Sequence, residues 1–141
     1  MNTKAVPPTD PIDSLLRSAK TIAMVGLSDN PLRASHGVAA YLQVHGYRII
    51  PVNPAIQEAL GEKAYVSLLD IPAGEKVDIV DIFRRPEFVP EIVEQAVRRG
   101  VAAIWMQESV IHEEAAQRAR QAGIFVVMDR CILKEHQKRI E

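Results

Sequence analysis

The sequence predicts an α/β protein: a doubly wound, mostly parallel sheet with helices on both faces, Rossmann-like, in a single three-layer domain. Short runs rich in Val and Ile recur at residues 22–27, 48–52, 77–83, 102–106 and 124–128. They have strand length and mostly lack polar alternation, as strands covered on both faces do. Between them, residues 35–45, 86–99 and 111–122 carry helical spacing, and each stretch is followed by a glycine (Gly46, Gly100, Gly123) and then an apolar run. That is a repeating β–α pattern. A chain of 141 residues is long enough for one core and too short for two.

Residues 1–9 are polar and contain two prolines, so they read as a loose arm before a domain spanning 10–141. Asp10 has the chemistry of an N-cap, Pro11 suits the first helical position, and Ile12, Leu15, Leu16 and Ala19 form the buried stripe. After the first strand, Ser35 is placed to cap the second helix. Residues 55–74 are the least regular: a short helix near 56–60, a brief strand at 64–66 and a loop at 71–74. Pro86 opens the next helix, in which Phe88, Val89, Ile92, Val93, Ala96 and Val97 recur at helical spacing. The following helix carries Ile111, Ala115, Ala119 and Ala122 on one face.

Composition excludes several classes of function. Hydrophobic residues make up 48% and charged residues 25%, with a formal net charge of -1. Neither nucleic acid nor an anionic membrane is expected as a bulk electrostatic partner, so any anion site must be built locally. Cys131 is the single cysteine, which leaves no internal disulfide framework and no CxxC motif. The first residues lack the apolar core of a signal peptide, and no run approaches membrane-spanning length. A cytoplasmic protein is the expectation.

The loop after the first strand carries the most chemistry. A strand, a loop and a helix in this order place a phosphate among the backbone N–H groups of the helix N-terminus. Gly26 is followed by Leu27, Ser28, Asp29, Asn30, Pro31, Leu32 and Arg33, and the next glycine is Gly37. This is not the three-glycine bed of a dinucleotide site; it offers hydroxyls, an amide and a fixed positive charge. Gly26 either permits a tight turn or lets a ligand approach closely. Ser28 and Ser35 are caps or phosphate contacts, and Arg33 is a solvated charge or a phosphate clamp. At the second strand end stands Asn53-Pro54, where an NAD-type fold carries an acidic residue for the ribose; the pair is equally a turn signal. Phe83-Arg84-Arg85-Pro86 ends the third strand, with Phe83 as an adenine platform or core residue and the arginines as phosphate contacts or solvated charges. Gln107 and Glu108 end the fourth.

Three blocks, VGLSDNPLRASHGVAAYLQVHGYRIIPVNP, VDIVDIFRRPEFVPEIVEQAV and VVMDRCILKEHQKR, closely resemble the small CoA-binding proteins. These are single Rossmann-like domains related to the CoA-binding domain of the succinyl-CoA synthetase α subunit. The resemblance runs from about Ile12 to the C-terminus. It implies coenzyme A or an acyl-CoA across the strand ends, with the pyrophosphate on the loop from Gly26 to Ser35. The nucleotide end would lie near Asn53, Pro54, Phe83, Arg84 and Arg85, and the pantetheine side near Gln107. Succinyl-CoA synthetase works through a histidine in a further domain that this sequence does not contain. The four histidines here form no motif, so the ligase activity does not transfer.

Asp81, inside an apolar strand, must find hydrogen-bond partners and is expected to hold a neighbouring loop. Cys131 reads as a small buried hydrophobe, with thiol exchange as the lesser alternative. The resulting reading is a protein that carries, senses or regulates through CoA rather than one that turns it over. The alternatives are an NAD(P)-binding enzyme or redox regulator, and a non-catalytic subunit of a CoA ligase or transferase. Self-association or a partner acyl-CoA enzyme fits any of these.

Overall fold

The computed structural model describes residues 10–140, and the arm expected over 1–9 lies outside them. Asp10 caps helix α1 (Pro11–Ser18) by accepting the Ile12 N–H at 2.8 Å, and Leu16 is buried on its inner face. Strand β1 (Thr21–Val25), helix α2 (Ala34–Val44) and strand β2 (Arg48–Val52) follow as the sequence predicts. Ser35 is not the cap of α2. Arg33 occupies that position without a side-chain hydrogen bond, and Ser35 lies inside the first turn.

The expected helix at 56–60 is a hairpin. Strand β3 (Glu58–Ala59) pairs antiparallel with β4 (Glu62–Lys63). Leu60 and Gly61 take φ 54° and 77° at the turn. Two successive left-handed residues make the type of turn that joins strands and terminate any helix there. Ile56, Ala59 and Leu60 still reach the core, which is why helical spacing fits them too. The brief strand at 64–66 reduces to one bridge, Val52 to Tyr65. A 3-10 turn at Leu68–Asp70, with Ser67 and Asp70 forming a capping box, leads into the expected loop.

Strand β5 (Ile79–Ile82) is followed by a 3-10 turn at Pro86–Phe88, then helix α3 (Val89–Arg99). The α-helix therefore starts three residues later than Pro86 implies. Pro90 occupies its first turn, where a missing N–H costs nothing. Strand β6 (Ala103–Met106), helix α4 (Glu113–Gln121), strand β7 (Phe125–Val127) and helix α5 (Ile132–Arg139) complete the chain. His112 caps α4, its Nδ1 accepting the Ala115 N–H at 3.1 Å.

The main sheet has the order β2-β1-β5-β6-β7, with every pair parallel. Alternate residues enter two cores. Val25, Val52, Val80, Ile82, Ile104 and Met106 meet α3 and α4 on one face. Ile22, Met24, Ile49, Ile79 and Trp105 meet α1, α2 and α5 on the other. Burial of so many side chains at about 1.5–3 kcal/mol each is the main stabilising term. The two wings of the sheet diverge between β1 and β5, where β2 lies outward on one side and β6 on the other. At such a switch point the strand-end loops splay apart and leave a crevice.

Candidate functional site

Gly26 stands at this switch point. Its N–H donates to the Val52 carbonyl at 2.8 Å, and its φ is 91°. A Cβ built on it would lie 2.4 Å from the Phe83 carbonyl oxygen. The close approach that requires glycine is thus first to the neighbouring strand end. Any ligand contact is in addition to it.

Hydrogen bonds of Ser28, Asn30 and Ser35 organise the following loop. The Ser28 N–H donates to Ser35 Oγ at 3.0 Å, and Ser28 Oγ accepts the Asn30 N–H at 3.0 Å. Asn30 Oδ1 accepts the Leu32 N–H at 2.9 Å. These bonds fold the loop back over the start of α2, whose first-turn N–H groups have no side-chain cap. Ser35 is buried, while Arg33 is exposed and its guanidinium makes no hydrogen bond or ion pair among the described residues. Leu27 is fully buried. The N-terminus of α2, which has no side-chain cap, and the Arg33 guanidinium place positive charge at this edge, opposed by exposed Asp29 of the same loop.

Asn53 ties the two strand ends together. Its Nδ2 donates to the Leu27 carbonyl at 2.9 Å, and its Oδ1 accepts the Ala55 N–H at 2.9 Å. Both faces of the amide are engaged, so Asn53 shapes the crevice as well as lining it. Asn53→Ala should lower stability by about 1–2 kcal/mol, because the Leu27 carbonyl loses its partner. Urea unfolding measures this, and an unchanged midpoint would separate the two loops energetically.

Arg84 and Pro54 lie towards the α3 side, lining a cleft of about 250 Å³ with Val25, Val52, Ser67 and Gln95. The Arg84 guanidinium stands 4.1 Å from the Phe88 ring centroid. Arg85 is exposed, 5.5 Å from the same centroid and 3.9 Å from Glu87. Phe83 is half-buried against the α1–α2–α5 core. Gln107 is buried, and its Oε1 accepts the Ile132 N–H at 3.0 Å, capping α5 in place of the uncapped Cys131.

The predicted residues therefore divide by position. Gly26, Leu27, Ser28, Ser35, Asn53 and Phe83 gather at the switch point, Pro54 and Arg84 at the adjoining cleft, and Gln107 beneath α5. Ser67 and Gln95 were missed. The Ser67-x-x-Asp70 pattern is a legible cap signal, whereas nothing local marks Gln95 as facing a cleft. At the far ends of β6 and β7, Ser109 and Asp129 take φ 71° and 60° and join through a 2.7 Å bond from the Ser109 N–H to Asp129 Oδ1. Trp105 is core as expected, and its Nε1 donates to the Arg130 carbonyl at 2.8 Å, pinning the start of α5.

Asp81 departs from expectation. It is 0% exposed and neither carboxyl oxygen has a hydrogen-bond partner among the described residues, so it is not seen to hold a loop. Burial pushes its pKa well above the usual carboxylate range. Cys131 is a free, buried thiol.

A larger cavity of about 600 Å³ lies at the opposite edge, lined by Glu75, Lys76, Arg98 and Arg99 among others. The Arg99 guanidinium there is saturated by the carbonyls of Leu68, Ile71, Pro72 and Glu75. That edge carries strand N-termini rather than helix N-termini, so it lacks the convergent N–H groups of the switch point and is the weaker ligand site despite its volume. Among the described residues no cluster of metal-ligating side chains occurs, and no helix is long and apolar enough to cross a membrane.

Comparison with known proteins agrees with the fold. A family model described as a CoA binding domain matches residues 20–137. The Bacillus subtilis protein YneT is 45% identical over 125 residues, covering 89% of this chain and 91% of YneT. The ADP-forming acetate–CoA ligase II of Archaeoglobus fulgidus is 29% identical over 102 residues, which is 71% of this chain but 15% of the ligase. A solved structure of a hypothetical protein from Pyrococcus horikoshii superimposes with a TM-score of 0.89 at 38% identity, covering 99% of this chain and all of that one.

Proposed function

This chain belongs to the family of CoA-binding domains, and we propose that it binds coenzyme A or an acyl-CoA at the switch point as a carrier, sensor or regulator. The observation that carries this reading is the N-terminus of α2, without a side-chain cap, beside an Arg33 that makes no hydrogen bond or ion pair among the described residues, with no carboxylate at the second strand end. The pyrophosphate would lie against those N–H groups and Arg33, with Ser28 and Ser35 shaping the loop. The nucleotide would extend towards Pro54, Phe83, Arg84 and Arg85, and the pantetheine arm towards Gln107.

Arg33 gives the sharpest test. Charge-assisted hydrogen bonds contribute roughly 1.5–3 kcal/mol, so Arg33→Ala should weaken CoA binding about ten- to a hundredfold. Folding should be unaffected, since the side chain is exposed. The loss should shrink at high salt, where screening already weakens the wild-type contact, and nearly vanish for pantetheine, which lacks the pyrophosphate. Arg84→Ala and Arg85→Ala are the companion measurements: an arginine that contacts the 3′-phosphate loses its effect with dephospho-CoA. Unchanged CoA affinity in Arg33→Ala would assign the phosphates to the backbone alone.

A second reading has one observation in its favour, the likeness to a segment of an ADP-forming ligase. A chain of this kind would complete a CoA ligase with a separate partner. Acyl-CoA formation from ATP, CoA and a carboxylate that requires a copurifying larger chain would support it.

A further inference from the structure

Asp81 is costly for this fold. Its carboxyl is completely buried, both oxygens lack partners among the described residues, and in register it stands between Met24 and Trp105. Its register neighbours Met24 and Trp105 are apolar, and the buried polar side chains of α2 and α5 over this face are engaged elsewhere: Ser35 Oγ accepts the Ser28 N–H, Glu135 pairs with Arg139, and His136 Nδ1 bonds with the Tyr41 hydroxyl. Desolvation in that setting disfavours the charged form and raises the pKa of the carboxyl, favouring the neutral acid. A neutral carboxyl has an O–H to donate, and here that donor has no acceptor.

Its position relative to the crevice gives the donor a use. Side chains two residues apart on a strand share a face. Gly26, Phe83 and Gln107 therefore form the next layer above Met24, Asp81 and Trp105, at the sheet edge where the candidate site lies. Gly26 contributes no side chain to that layer, and half-buried Phe83 stands directly along the strand from Asp81. Helices α2 and α5 pack side by side over this face, and both begin at the same edge. Asp81 thus lies one layer beneath Phe83, below the sheet edge at which both helices start.

Only one part of a CoA ligand suits such a position. The phosphates require positive groups and water, and a fully buried carboxyl between Met24 and Trp105 offers neither. The sulfur end is neutral. A free thiol is a weak acceptor, whereas a thioester carbonyl is a good one. We propose that Asp81 donates a hydrogen bond to the thioester carbonyl of an acyl-CoA, admitted when the Phe83 ring turns aside, so that the ligand class is the acyl thioester rather than free CoA. This inference rests on the crevice being the CoA site.

The test compares acetyl-CoA, S-ethyl-CoA (a thioether of similar size without the carbonyl) and CoA in calorimetric titrations of the full chain. Wild type should bind acetyl-CoA about tenfold more tightly than S-ethyl-CoA, the worth of one buried hydrogen bond. Asp81→Val should abolish that preference while leaving affinity for S-ethyl-CoA and CoA within about twofold. Asp81→Asn, whose amide still donates, should retain most of it, and circular dichroism verifies that both variants fold. Equal affinities in wild type, or a preference that survives in Asp81→Val, would overturn the proposal while leaving the CoA site intact. Failure of CoA and both derivatives to bind wild type would overturn the site reading, and this proposal with it.

Discussion

Gly26→Ala should destabilise the protein by about 2–5 kcal/mol. A non-glycine residue at positive φ costs roughly 1–2 kcal/mol, and overpacking against a fixed neighbour adds roughly 1–3. The neighbour here is the Phe83 carbonyl, 2.4 Å from the new Cβ, and the φ to be held is 91°. A backbone carbonyl at a strand end cannot swing away as a side-chain tip can, so β1 and β5 must separate at the switch point. Urea unfolding should register the loss, and ligand affinity should fall with it because the crevice widens. Gly37→Ala is the contrast. Gly37 lies within α2 and a Cβ there meets nothing within 4 Å. That substitution should stabilise by about 0.5–1 kcal/mol. Equal effects from the two would remove the steric account of Gly26.

Asp81→Val should raise stability, and the gain should depend on pH. The folded carboxyl has a raised pKa, so on increasing pH the unfolded chain loses its proton first. Wild-type stability is then greatest below about pH 4, the ordinary carboxylate range, and falls as pH rises until the folded carboxyl itself ionises. Within that window the slope is about 1.4 kcal/mol per pH unit. Asp81→Val lacks this proton, so the difference between variant and wild type should widen as pH rises above the ordinary carboxylate range, at up to about 1.4 kcal/mol per pH unit. Parallel curves for the two proteins would mean that the carboxyl is solvated or paired in solution.

The architecture was legible because its signals are local and repeated. Each of the five strands of the main sheet coincides with a Val- and Ile-rich run, and Gly46, Gly100 and Gly123 all take positive φ after their helices. The hairpin at 58–63 was not legible, since Ile56, Ala59 and Leu60 fit a helical stripe as well as a strand pair. What decides it is the left-handed conformation of Leu60, a residue whose side chain gives no hint of it. Ser35 has the chemistry of a cap, but its oxygen is taken by the Ser28 N–H, a bond set by the loop's path rather than by its composition. The loop, Asn53 and the FRRP block could be found from strand-end positions. Ser67 and Gln95 reach the adjoining cleft only through tertiary packing, and no periodicity encodes that. Asp81 stands out in the sequence as a carboxylate inside an apolar strand, but the loop contact expected of it needs a partner that the fold does not bring to it among the described residues.

The central claim is that CoA binds at the switch point, and titration calorimetry of CoA into the full chain tests it most directly. The account predicts saturable binding of one CoA per chain, lost or weakened in Arg33→Ala. At ligand concentrations about a hundred times Kd, the folded state should gain about 2.7 kcal/mol, seen as a higher Tm. No heat and no Tm shift with millimolar CoA, or tight binding of NAD(H) in its place, would contradict it.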